Sequence, residues 1–270
     1  MTEKNKFHEF KKPNKIWAIG SLHSSVESFQ SIKNYIYSNF SNGDKLIFLG
    51  NVIGFRDKSK EIISEVLRLR FNLMAKFKLN NDDIVFLRGA QEEMFSKLLQ
   101  LQIAPNPIEI IDWIFSHGVD QTISSYGFDP NEFKSVASQG TIQINKLTSK
   151  LNHQISIISG HKEYFSNLKH AAYSEGKEVL FVNRGVDISR PLSAQYDCFW
   201  WGYQNFSLIN KPYYTFKRIV RGYQSNPHND IENSKSRILC TLFRQPLENN
   251  KILAGIFSKN GEILELFESN

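Results

Sequence analysis

Cysteine is nearly absent: the 270 residues contain 2, Cys198 and Cys240. Each sits among apolar neighbours, with Phe199, Trp200 and Trp201 after the first and Ile238 and Leu239 before the second. That excludes a disulfide-stapled scaffold and a zinc site of Cys/His spacing, and it predicts buried free thiols. Hydrophobic runs are short, and none approaches the about 18 residues of a membrane-spanning helix. A soluble, cytoplasmic protein with no membrane partner is therefore expected. A glycine-rich phosphate loop, the Gly-x-Ser-x-Gly turn of serine hydrolases, internal repeats and low-complexity tracts are also missing. Residues 1–14 are polar and basic with no apolar centre, so a frayed lead-in containing His8 is expected rather than a secretory signal.

What is present is an ordinary globular composition, 41% hydrophobic and 22% charged, enough for one large domain over residues 15–270. Lys+Arg (33) exceed Asp+Glu (27), a net charge of +6 that permits an anionic partner without naming one; a nucleic-acid partner is not expected. Three apolar runs each end at a glycine and open into a helical pattern: IWAIGSLHS (16–24), LIFLGNVIGFR (46–56) and IVFLRGAQEEM (84–94). Such repetition predicts β-α-β units with site residues at the carboxyl ends of strands. Ser24 to Glu27 reads as a capping box, followed by Val26, Phe29, Ile32 and Ile36 at helical spacing.

Helical pattern continues in a middle region, about 104–168. Asn106, Pro107 and Glu109 start one helix that Gly118 stops, with Trp113 and Phe115 expected in the core. Further helices are expected from about Gln143 to Leu151 and from Gly160 to Leu168. Strands follow, with turns at Glu175-Gly176 and Asn260-Gly261, the latter read as a type I′ hairpin, and a loop at 224–235. His117, His153, His161, His170 and His228 lack metal-ligand spacing and read as structural. Phe199, Trp200 and Trp201 could stack on a base, but core packing is the expected role.

The three glycine-terminated units resemble the calcineurin-like metallophosphoesterase superfamily, most closely its bacterial serine/threonine phosphatase and diadenosine tetraphosphatase branch. Its motifs read G-D-x-H-G, G-D-x-x-D-R-G and G-N-H-E. Here Gly20, His23, Gly50, Gly89 and Glu92 stand, while Ser21, Asn51 and Ala90 occupy ligand positions and Gln91 that of the proton-donating histidine. The likeness runs over roughly 15–268: Asn183 takes a later histidine-ligand position, and in IVRGYQ (219–224) Arg221 and Tyr223 take two more histidine positions. It implies an α/β four-layer αββα sandwich of two mixed sheets, with residues 16–100 in one sheet and most of 178–268 in the other.

The same resemblance implies two divalent metals, such as manganese, in relatives. Two cations about 3.5 to 4 Å apart need anionic or imidazole ligands to offset their repulsion. With the carboxylates replaced, no metal, no cofactor and no catalytic residue is expected here. The implied reading is a catalytically impaired phosphatase-like protein, a pseudoenzyme, that binds a phosphorylated ligand or protein partner through the vacated cleft. Arg56, Arg88, Arg184 and Arg221 are the candidate anion-binding residues, since guanidinium groups grip phosphate without metal. Drift of arginines onto exposed loops is the competing account of that set. The alternative function is an active metal-dependent phosphoesterase using His23, Asn51 and Asn183 around one weakly held ion.

Overall fold

The computed structural model describes residues 6–202, 206–224, 238–243 and 251–270. Most of the loop expected at 224–235, His228 included, lies outside them.

Short apolar runs, most of them buried on both faces, build ten strands in two five-stranded sheets among the described residues. The first sheet runs β10-β9-β2-β3-β4 and the second β1-β5-β6-β7-β8. In the first, β2 (Lys15–Ile19), β3 (Lys45–Phe48) and β4 (Ile84–Phe86) are parallel, as the repeated units predict. The hairpin of β9 (Leu253–Ser258) and β10 (Ile263–Glu268) pairs antiparallel with β2. This corrects the expectation that the carboxyl-terminal strands lie mostly in the second sheet. A strand with two buried faces fits either sheet by pattern, and pairing with β2 selects one.

The second sheet holds β1 (Phe7–Phe10), β5 (Ala171–Ser174), β6 (Val179–Val182), β7 (Arg218–Arg221) and β8 (Leu239–Thr241). The supposed frayed lead-in thus contains an edge strand, parallel to β5, with Phe10 buried. The polar, basic composition around Phe7 and Phe10 hid it. Between the sheets lies an apolar layer that includes Phe10, Ile16, Ile47, Leu49, Phe181, Val220 and Phe257.

Helices α1 (Val26–Asn39), α2 (Ser59–Phe77) and α3 (Ala90–Leu98) cover the outer face of the first sheet through Phe29, Ile62, Val66 and Phe95. The middle region adds α4 (Pro107–Ser116), α5 (Val119–Ser125), α6 (Pro130–Ala137), α7 (Thr141–Ser156) and α8 (His161–Ser166). Two of these, α5 and α6, were not expected from the sequence. Phe115 is buried but Trp113 is 44% exposed, against its expected place in the core. The outer face of the second sheet is covered more thinly, by α9 (Cys198–Trp201) and the 3-10 turns and loops carrying Phe206, Ile209, Tyr213 and Phe216. Phe199 and Trp200 are buried there. No helix among the described residues is long and apolar enough to cross a membrane.

Candidate functional site

Strand ends β2, β3 and β4 place their loops side by side. The amides of Leu22 and His23 donate to the Asn51 carbonyl at 3.0 and 2.9 Å, and the Ser24 amide to that of Val52 at 2.9 Å. Gly20 is required by close approach: a Cβ there would lie 1.9 Å from the Leu242 carbonyl oxygen. Four non-glycine residues in these loops, His23, Ser24, Asn51 and Phe55, hold φ between 45° and 62°. That left-handed conformation costs on the order of 1 kcal/mol each and persists only where surroundings enforce it.

At Asn51, Glu92 holds the loop in place. Its carboxylate accepts from the amides of Gly89, Asn51 and Val52 at 2.9, 2.9 and 2.7 Å, and Tyr164 Oη lies 3.4 Å away. Burial raises its pKa, and the amide donors act in the opposite direction. Its role was missed in the sequence, although glutamate at the third position of α3 is a capping signal. The Ser24 capping box, by contrast, does not form. Ser25 is the N-cap and makes no side-chain capping bond, while Ser24 is drawn into the site, its hydroxyl 2.8 Å from that of Ser59.

The residues at the expected ligand positions do meet here, and most are already bonded to the protein. Ser21 Oγ donates to the Gly222 carbonyl at 2.8 Å, Asn51 Oδ1 accepts from the Gln91 amide at 3.1 Å, and Asn183 Nδ2 donates to the Leu49 carbonyl at 2.7 Å. Gln91 Nε2 donates to the His117 carbonyl at 2.8 Å. Ala90 is buried at the start of α3 and provides no polar group.

His23 is fully buried, with ring centroids of Phe55, Tyr223 and Phe243 at 5.0, 5.5 and 6.3 Å. Neither ring nitrogen makes a hydrogen bond of ordinary geometry. Burial first, then Arg56, pushes its pKa down to about 3, with the Ile53 carbonyl acting weakly against them. Asn183 Oδ1 and Gln91 Oε1 are likewise buried without partners.

The four arginines have different surroundings. Arg56 Nη1 donates to the His23 carbonyl at 2.8 Å. Arg184 lies over the Tyr223 ring at 5.5 Å, its stem against Gly202, and burial lowers its pKa. Arg221, only 8% exposed, donates to Thr241 Oγ1 at 2.8 Å and Gln224 Oε1 at 2.6 Å and covers Phe206 at 4.2 Å. Arg88 pairs with Glu93 at 2.7 Å, so its charge is balanced inside the protein.

Two of the other histidines have structural partners. His161 joins Tyr126 and Ser64 at 2.8 and 3.1 Å, and His170 packs against Trp200 at 4.9 Å. Among the described residues no cluster of three His, Cys, Asp or Glu side chains could hold a metal ion. The donor set thus fits poorly with two divalent cations: it is neutral, largely committed to backbone partners, and flanked by guanidinium groups.

The two facing mixed sheets, with loops converging at the strand ends, form a fold that solved phosphoesterase structures share. A solved structure provisionally assigned as a diadenosine tetraphosphatase matches with a TM-score of 0.51 at 14% identity, over 98% of each chain. A metallophosphoesterase from Sphaerobacter thermophilus gives 0.45 at 13% identity, covering 95% of this chain and 88% of that one. A protein serine/threonine phosphatase from Saccharomyces cerevisiae gives 0.45 at 12% identity, covering 98% and 82%. At these identities the likeness concerns the fold, and the two looser superpositions add no functional detail. No family model matches the chain, and no curated protein does.

Proposed function

We propose that this phosphatase-like chain does not hydrolyse phosphoesters through metal and instead binds a phosphate group, on a small ligand or a protein partner, at the vacated cleft. Arg184 and Arg221 hold the anion, with Arg56 assisting. The supporting observation is the engagement of Ser21, Asn51 and Asn183 with Gly222, Gln91 and Leu49, which turns the expected ligand positions into structural hydrogen bonds. A metal-activated hydroxide needs several anionic or imidazole ligands, and the leaving group needs a proton donor where Gln91 stands. Guanidinium groups supply fixed positive charge without either. Arg88 is left out because Glu93 neutralises it.

The alternative, a phosphoesterase with one weakly held ion, draws on the unpartnered nitrogens of His23 and the unpartnered Asn183 Oδ1. Turnover of an aryl phosphate in manganese separates the two. Wild type should match the protein-free blank, and metal-dependent turnover that disappears in His23→Ala would overturn the proposal. Calorimetric titration with inorganic phosphate should show binding that weakens with salt and falls at least tenfold in the Arg184→Ala, Arg221→Ala double variant. Equal binding by both proteins would refute the anion site.

A further inference from the structure

Trp113, expected in the core, is 44% exposed on α4, and it does not stand alone. One helical turn further on, the His117 imidazole lies with its centroid 4.6 Å from the indole. Trp201, the last residue of α9, meets the same indole edge-on at 5.5 Å. His117 is exposed and Trp201 half-buried. Three rings from two distant stretches of chain thus gather at one place on the surface, where core packing does not account for them. Indole and imidazole faces open to water are suited to stack on the flat face of another ring.

Both parts of this cluster are tied to the vacated cleft. The His117 carbonyl accepts from Gln91 Nε2 at 2.8 Å. Gly118, the next residue, approaches Phe55 so closely that a Cβ on it would lie 2.7 Å from that ring, whose centroid is 5.0 Å from that of His23. From the other part, Gly202 directly follows Trp201 and packs on the Arg184 side chain: a Cβ there would lie 3.0 Å from Arg184 Nε. The guanidinium assigned to the phosphate and the aromatic cluster are therefore neighbours. Inorganic phosphate can use only the cation. A phosphate carrying a planar ring can use both, and the ring gains more on these faces than an aliphatic body of the same size, since stacking adds to burial.

We propose that Trp113, with His117 and Trp201, forms a ring-stacking subsite, so that the ligand of the vacated cleft is an aromatic phosphate; its charged end rests on the phosphate reading above. Purine nucleotides and phosphotyrosine share that chemistry, and paired titrations tell them apart. Calorimetry of the full chain would compare AMP with ribose 5-phosphate and phosphotyrosine with phosphoserine, with inorganic phosphate as reference. The ring-bearing member of at least one pair should bind about tenfold tighter than its ring-less counterpart, and the pair that shows the difference names the source. Trp113→Leu should remove this advantage, and Trp113→Phe, which keeps a ring, should retain part of it. Circular dichroism checks that both variants remain folded. Binding of inorganic phosphate with no advantage for either ring-bearing ligand, or an advantage that survives in folded Trp113→Leu, would overturn the subsite alone. Absence of binding by inorganic phosphate and by every ester would overturn the phosphate reading together with it.

Discussion

His23 shows how one side chain can stay in place while its surroundings change its chemistry. Enclosed by Phe55, Tyr223 and Phe243, it has a pKa pushed down to about 3 and is neutral in the folded protein at pH 7. In the unfolded chain it titrates near 6.5. Between those values the unfolded state binds a proton that the native state refuses, so stability falls as pH falls through that window. Each pH unit costs roughly 1.4 kcal/mol, about 2 kcal/mol by pH 5. His161 and His170, both lowered to about 4, act in the same direction. Urea unfolding of wild type and His23→Phe at pH 7 and pH 5 isolates the His23 share, and the variant should lose less stability on acidification. An identical loss in both would refute the neutral, buried assignment. The sequence made the replacements at Ser21, Asn51, Ala90, Gln91 and Asn183 legible, because a side chain's donor chemistry travels with its identity. Which hydrogen bonds those side chains make was not legible, nor was the Arg88–Glu93 pair, because both depend on neighbours brought in by folding.

Among the elements, the helix start marked by Asn106 and Pro107 was read from sequence, whereas the equally marked start at Asp129 and Pro130 was not, and the one placed at Ser24 gave way to the site. Asn106 accepts from the Glu109 amide at 3.4 Å with Pro107 in the first turn, and Asp129 accepts from the Asn131 amide at 2.9 Å before Pro130. The shorter bond is the stronger. Asp129→Ala should therefore cost about 1 kcal/mol and Asn106→Ala less, as measured by urea unfolding. The reverse order would show that tertiary packing, rather than the cap, decides these helix ends. At the β9–β10 hairpin the Asn260-Gly261 signal located the turn but not its type. Gly261 has φ 86° whereas Asn260 is not left-handed, and the Gly261 amide donates to Ser258 at 3.0 Å. This is the three-residue type I turn with a left-handed glycine, followed by a bulge between Ile263 and Glu265, and not type I′.

The whole molecule depends on closing two sheets over a shared apolar layer, and its least expected contributor is β1. Phe10 is 1% exposed in that layer, while Phe7 packs edge-on against Phe199 at 5.8 Å. Deleting residues 1–11 removes an edge strand and both phenylalanines, and by the usual cost of emptying a core site it should lower stability by at least about 3 kcal/mol. Thermal unfolding of the truncated protein measures it, and an unchanged midpoint would restore the frayed lead-in.

Local pattern determined the three parallel strand-and-helix units, the helical middle region, the buried thiols and the loss of acidic ligands, because each is written in the spacing or chemistry of neighbouring residues. Tertiary structure alone decided that the carboxyl-terminal hairpin joins β2 instead of the second sheet, and that residues 7–10 form a strand. It also decided that Glu92 ties the Gly89 amide to those of Asn51 and Val52. Those outcomes rest on pairings between residues up to about 240 positions apart, such as β2 with β9, and an apolar run buried on both faces fits more than one such partner equally well until the competing sheets are built.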